Sequence, residues 1–257
     1  MAMGIQYVSV EEAISRPGLR IVVVGKVPSP WGEAAKGILH IKGIDFAAVR
    51  LVYDDPALAK WAGQLSAPVV VYDDEPPRSG WAEILMLAER LAPDPRLLPL
   101  EPHARGRATL LAEKFCGRDG LGWNRRLQMV HAGQTNSGGF IPRVAGYLGG
   151  KYGYDANLAA RYSARVVELL GEFARELQAQ RTAGKDYYLD TMSAADIYSA
   201  CFMALLKPLP AGQCDMHDGI RAAFEWLDAP TRAALDPILL EHRDMMYARH
   251  LALPLSL

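Results

Sequence analysis

Four prolines, Pro93, Pro95, Pro99 and Pro102, crowd the stretch 92–102 and divide the chain into two parts with different apolar periods. Proline fixes φ and removes a backbone donor, so neither a helix interior nor a central strand runs through such a stretch. It reads as a stiff connection between domains. Before it, short β-branched runs alternate with amphipathic segments; after it, every periodic segment steps by three and four. The expected organisation is α/β followed by all-α, with a first domain at 1–92, a linker at 93–102 and an all-helical domain at 103–257.

In the first part, Ser9 with Glu12 three residues on marks a short leading helix at 9–15. Residues 19–24 read as a buried strand. Ser29 and Pro30 then open a helix that runs to Gly43, with Trp31, Ala35, Ile38 and Leu39 at helical spacing. A second strand at 46–52 completes a β-α-β unit whose strands should be parallel. A weaker helix at 54–65, a strand at 69–72 entered through Ala67-Pro68, and a helix capped by Ser79 follow. The Ser29-Pro30 junction has two readings. A helix start offers unpaired N–H groups and the positive end of the helix dipole, which suits an anion. The same two letters also make an ordinary N-cap followed by an N1 proline.

In the second part the strongest helix spans 157–183, and Ser193 with Asp196 forms a capping box for a helix at 197–206. Helices at 214–227 and 236–249 follow. The stretch 116–126, C-G-R-D-G-L-G-W-N-R-R, interrupts a helical region with three glycines and sets Trp123, Arg125 and Arg126 beside a turn. An aromatic face with arginines suits an apolar, anionic acceptor, and a plain helix corner with solvated arginines is the alternative. The glycine- and tyrosine-rich stretches 133–139 and 147–154 read as loops that line or gate a cleft.

Half of the residues are hydrophobic, the net charge is −1 and no run of like charge occurs, which disfavours nucleic-acid and anionic-membrane roles. No stretch approaches the ~18 apolar residues of a membrane span, and the first residues lack a leader pattern. A cytoplasmic location is expected. Cys116, Cys201 and Cys214 form no C-x-x-C pair and the histidines show no ligand spacing, so neither a disulfide framework nor a metal is expected.

Ser29-Pro30-Trp31, Ala67-Pro68-Val69, and Ser193-x-x-Asp196-Ile197 preceded by Tyr187-Tyr188-Leu189 occur in an order and spacing that resemble the cytosolic glutathione transferase superfamily. The resemblance covers nearly the whole chain, with residues 1–16 as an extension. It implies a thioredoxin-like first domain that binds glutathione as co-substrate, followed by a helical-bundle domain that meets a small, mostly apolar electrophile. It implies Ser29 as the catalytic hydrogen-bond donor to the glutathione thiolate, and Trp31, Ala67, Pro68, Arg78 and Ser79 as glutathione-binding residues. Trp123, Arg125 and Arg126 would meet the second substrate, and the protein would be a homodimer. Arg78 stands where the family often places an acid. A non-catalytic ligand- or protein-binding module of the same fold is the alternative. Serine rather than cysteine at position 29 argues against thiol-disulfide exchange.

Overall fold

The computed structural model describes residues 5–257; of the expected extension, Met1 to Gly4 lie outside the described residues. The extension contributes strand β1 (Gln6–Tyr7) and helix α1 (Val10–Ser15). A two-residue strand is too short to carry an alternation, which is why the sequence does not reveal β1. Ser9 Oγ accepts from the Glu12 N–H at 3.1 Å, but the Glu12 carboxylate turns to Arg16 at 3.0 Å, so this box closes on one side only.

Strand β2 (Leu19–Val23) is buried along its whole length. Helix α2 (Pro30–Ile41) leads to β3 (Phe46–Arg50), parallel to β2 with Ile21 opposite Ala48 and Val22 opposite Val49. Helix α3 (Pro56–Ala62) leads to β4 (Val69–Tyr72), antiparallel to β2, and the sheet order is β1-β3-β2-β4. The period of two in β2 divides the core. Val22, Val49, Val69 and Val71 pack with Ala13, Leu58 and Ala62 from α1 and α3, while Leu19, Ile21 and Val23 join a second cluster with Ala34, Ile38 and Leu39 of α2.

Helix α4 (Trp81–Leu91) begins later than expected. Arg78 exchanges both backbone hydrogen bonds with Val70 at 2.8 Å, which keeps the chain extended through position 78. Gly80 takes the N-cap position and its N–H donates to Glu83 Oε2 at 2.9 Å. Ser79 therefore stands one residue before the cap, exposed.

The remaining helices are α5 (Pro102–Cys116), α6 (Leu121–Gln134), α7 (Pro142–Tyr152), α8 (Ala159–Thr182), α9 (Ala194–Phe202), α10 (Asp218–Glu225), α11 (Ala229–Ala234) and α12 (Pro237–Arg249). Two expectations change here. Trp123, Arg125 and Arg126 lie on α6 rather than beside a turn, because Gly122 does not break the helix. A Cβ at Gly122 would stand 2.4 Å from Phe202 and 2.7 Å from Trp31, so the glycine is there for close packing. Residues 147–152, read as loop, form the end of α7. The capping box of α9 is present, with Asp196 Oδ2 accepting from the Ser193 N–H at 2.8 Å. Among the described residues no helix is long and apolar enough to cross a membrane.

The proline-rich stretch is held by one lysine. Lys42, directly after α2, pairs with Glu89 of α4 at 2.9 Å and donates to the carbonyls of Ala92 at 2.7 Å and Pro95 at 3.0 Å. Glu89 in turn accepts the Leu97 N–H at 2.9 Å. The Lys42 side chain is 0% exposed, so deleting its charge strands a carboxylate and two carbonyls. Lys42→Met is expected to lower the unfolding free energy by about 3 kcal/mol, in the range for breaking a buried pair from one side. Urea denaturation followed by circular dichroism measures this, and a loss below about 1 kcal/mol would show that Lys42 does not anchor the connection.

Candidate functional site

Ser29 closes the loop between β2 and α2. Lys26 in that loop takes a left-handed φ of 57°, uncommon for a residue with a Cβ. Its carbonyl accepts the His217 N–H at 3.1 Å and its ammonium pairs with Asp215 at 2.6 Å, so the segment before α10 fixes the approach to Ser29. Ser29 occupies the N-cap position and its carbonyl accepts the Glu33 N–H at 2.8 Å. Its hydroxyl, however, makes no capping hydrogen bond. Ser29 lines a cavity of about 670 Å³ between the strand-bearing and helical parts.

Most of that cavity is apolar. Val27, Pro30 and Leu65 line it from the first part, and Met129, Phe140, Val144, Leu148 and Phe224 from α6, α7, α10 and the loop before α7. Tyr53, Tyr147 and Tyr152 add phenol rings, and Asp54, Arg126 and Lys151 bring charge. The Arg126 guanidinium lies 4.5 Å from the ring centre of Trp31, 4.6 Å from Tyr152 and 5.0 Å from Trp123. Burial pulls its pKa below the ordinary value, yet an arginine stays protonated at neutral pH. Lys151 donates to the Leu65 carbonyl at 3.0 Å and stands 5.0 Å from the Tyr53 ring; burial first, then the Arg126 charge, lowers its pKa. Burial likewise raises the Tyr53 phenol.

The other residues named from sequence go to different places. Trp31 donates from Nε1 to the Cys116 carbonyl at 3.1 Å and packs on Phe202 and Trp123 at 4.9 and 5.5 Å, a joint between the two parts. The Ala67-Pro68 peptide is cis. Pro68 and Ser79 meet Trp31, Trp81 and Tyr198 around a space of only about 10 Å³, separate from the cavity at Ser29, and Ala67 lines neither. Arg78 is bound to Glu75 at 2.6 Å, and Glu75 also holds Arg90 at 2.6 Å. Arg90 first, then Arg78, keeps the Glu75 carboxyl below its usual range. Asp73 accepts the Gly18 N–H at 2.7 Å.

Arg125 does not face the cavity. Consecutive helix residues point about 100° apart, so Arg125 and Arg126 cannot share a face. Arg125 is 0% exposed and donates to the carbonyls of Leu205 at 3.0 Å, Phe224 at 3.3 Å and Trp226, and to Gln128 Oε1 at 2.6 Å. Gln128 passes the network on to Thr231 and Asp228, each at 2.9 Å. Arg125 thus ties α6 to the chain around α10 and α11, and burial pushes its pKa down to about 9. The three cysteines are buried and free, and burial pushes their thiols up, Cys201 to about 12, so none is a ready nucleophile.

Sequence reasoning missed Tyr53, Met129, Phe140 and Phe224 as cavity residues, whereas Tyr147, Leu148, Lys151 and Tyr152 fall in the stretch 147–154 expected to line a cleft. The four-residue steps Val144, Leu148, Tyr152 and Tyr147, Lys151 carry the signal for α7, once its glycines are not read as breakers. Tyr53 and Phe224 come from a strand exit and a short helix, with no pattern that predicts their meeting.

Neither a protein-family model nor a curated protein matches the sequence. Solved structures match its shape. A glutathione S-transferase from Methylobacterium radiotolerans, crystallised with glutathione sulfonate, has a TM-score of 0.61 at 20% identity, covering 93% of this chain and 97% of its own. One from Methylobacillus flagellatus, with glutathione bound, has a TM-score of 0.62 at 15% identity, covering 90% and 96%. A glutathione transferase from Pseudomonas putida with glutathione disulfide bound has a TM-score of 0.54 at 16% identity, covering 92% and 96%. The likeness is one of shape across nearly the entire chain: its fold is that of the glutathione transferases.

Proposed function

We propose that the protein is a glutathione-dependent transferase that activates the glutathione thiol at Ser29 for attack on a small electrophile held in the adjoining cavity. The observation that carries this reading is Ser29: it stands at a helix N-cap, its hydroxyl leaves the cap unmade, and the residue lines a cavity of about 670 Å³. A free thiol has a pKa of about 8.5, and a hydroxyl donor together with the positive helix end lowers it by stabilising the thiolate. The mostly apolar wall then holds the electrophile beside the sulfur. Structures of the same fold crystallised with glutathione, its sulfonate and its disulfide support the choice of thiol. The homodimer belongs to the same proposal; exposed Met86, Leu100 and Leu110 offer apolar surface for it.

The second reading, a binding module without turnover, has its own observation. Arg78 and Arg90 both hold Glu75, which occupies the carboxylate nearest Arg78 and leaves Asp73 and Asp74 as the acids beside it for the α-ammonium of glutathione, and the space at Pro68 and Ser79 is about 10 Å³. Retention on immobilised glutathione and conjugation of 1-chloro-2,4-dinitrobenzene separate the two: retention with turnover supports the transferase, and neither one supports the binding module.

Two outcomes follow for Ser29. Ser29→Ala should lower kcat/KM with the aryl halide about ten-fold or more, because a lost charge-assisted hydrogen bond costs roughly 1.5–3 kcal/mol; unchanged turnover removes Ser29 from the mechanism. The pH–rate profile should also move. If the hydroxyl holds the thiolate, the ionisation in kcat/KM rises by about a pH unit in Ser29→Ala, and a profile that stays in place assigns thiolate stabilisation to the helix end alone.

A further inference from the structure

Arg126 carries a feature that thiol activation does not use. A guanidinium set into a protein wall is costly unless its donors are matched. Elsewhere in this chain they are: Arg20 donates to the carbonyls of Ala13, Gly18 and Asp73, and Arg243 donates to Asp244 and the Lys207 carbonyl. Arg126 instead lies among the rings of Trp31, Tyr152 and Trp123 and, among the described residues, makes no hydrogen bond or ion pair. Aromatic faces attract the cation but do not accept its in-plane N–H donors. Those donors form a fork that matches a carboxylate at two points. Asp54, an acid of the same cavity, is not paired with it, and Lys151 adds a second positive charge against otherwise apolar walls.

The geometry points to Arg126 as the specificity-determining residue for an acidic co-substrate: a molecule whose aromatic or aliphatic body fills the apolar wall and whose carboxylate is received by the Arg126 fork. This rests on the proposed transferase for its reaction and goes beyond it in naming the class of acceptor. Glutathione itself is the other source of a carboxylate, and the test is arranged to tell the two apart.

The probes are 4-chloro-3-nitrobenzoate and 4-chloro-3-nitrobenzamide, alike in shape and differing in charge. In each, the glutathione thiolate forms a carbon–sulfur bond, the carbon–chlorine bond breaks, chloride leaves with its electron pair and the thiol proton goes to solvent. The readout is the ratio of kcat/KM for the acid to that for the amide, which divides out any general loss of activity. With each kcat/KM divided by the rate constant of the same probe with glutathione in the absence of enzyme, the ratio is expected to be about ten or more in the wild type, to fall to about one in Arg126→Gln, and to be intermediate in Arg126→Lys, which keeps the charge without the fork. Circular dichroism and the lysine variant guard against misfolding. An unchanged ratio in Arg126→Gln overturns the inference. A rise in the KM of glutathione that is equal with both acceptors also overturns it, by giving Arg126 to the thiol, and leaves the transferase standing. If the wild type turns over neither acceptor, turnover of 1-chloro-2,4-dinitrobenzene still decides the transferase, and quenching of tryptophan fluorescence by unreactive 4-methyl-3-nitrobenzoate and its amide decides the acid site. Binding of the acid about ten-fold tighter than the amide, lost in Arg126→Gln, upholds the acid site, and equal binding overturns it.

Discussion

Helix α2 has no solvent face, and the positions of both candidate groups depend on that burial. Residues 32–39 are all buried: Ala34, Ile38 and Leu39 pack with the sheet, while α9 and the chain around Leu251 cover the other side. A Cβ at Gly37 would stand 2.7 Å from Leu251, so the covering is close. Two charges are caught inside. Glu33 and Lys36 pair at 2.8 Å, Lys36 also donates to the Ser256 carbonyl at 2.7 Å, and burial still holds the Glu33 carboxyl above its usual range. A helix clamped this way cannot shift along its axis without breaking the Lys36 bond to the Ser256 carbonyl and the buried pair that Lys42, directly after it, makes with Glu89 of α4. Its first turn, with Ser29 and Trp31, is therefore fixed at the edge of the cavity.

How legible this was depends on the range of the interactions involved. The strands at 19–23, 46–50 and 69–72 and the parallel β-α-β pairing follow from local apolar runs and proline positions, and the sequence shows them within a residue or two. Pro93, Pro95 and Pro99 lie between α4 and α5 and Pro102 opens α5, which is a local signal of the same kind. Ser79 was misplaced because a backbone exchange between Arg78 and Val70, a tertiary contact, delays the start of α4. Gly122 misled in the opposite direction: as a letter it is a breaker, whereas in the fold it is the space that Phe202 and Trp31 require. That single misreading moved Trp123, Arg125 and Arg126 from a turn onto a helix. It also hid the fact that neighbouring arginines there face different ways.

Arg125 and Arg126 set out how differently one residue type can be used over 1.5 Å of helix rise. Arg125 spends its donors on three carbonyls and Gln128, and so binds the segment after Leu205 to α6. Arg126 makes no hydrogen bond or ion pair among the described residues and lies among three aromatic rings. Stability accounts for the first. For the second it gives no reason, since a leucine among Trp31, Trp123 and Tyr152 would pack there without a desolvation cost.

The same test applies to Ser29. Folded chains leave few polar groups without partners when partners are within reach, and an N-cap serine has backbone amides beside it. Asp55, Asp155, Asp228 and Asp236 in this chain all use their side chains to cap the helices or turn that they precede. Ser29 alone would be a small omission at an exposed helix start. It lines the same cavity as an unpaired guanidinium, however, and most of the remaining wall is apolar, with Asp54, Lys151 and three tyrosines as its other polar groups. Two unspent donors, one a hydroxyl at a positive helix end and the other a cation, face a space large enough for a ligand. Both groups favour negative charge, which fits a thiolate at the first and a carboxylate at the second.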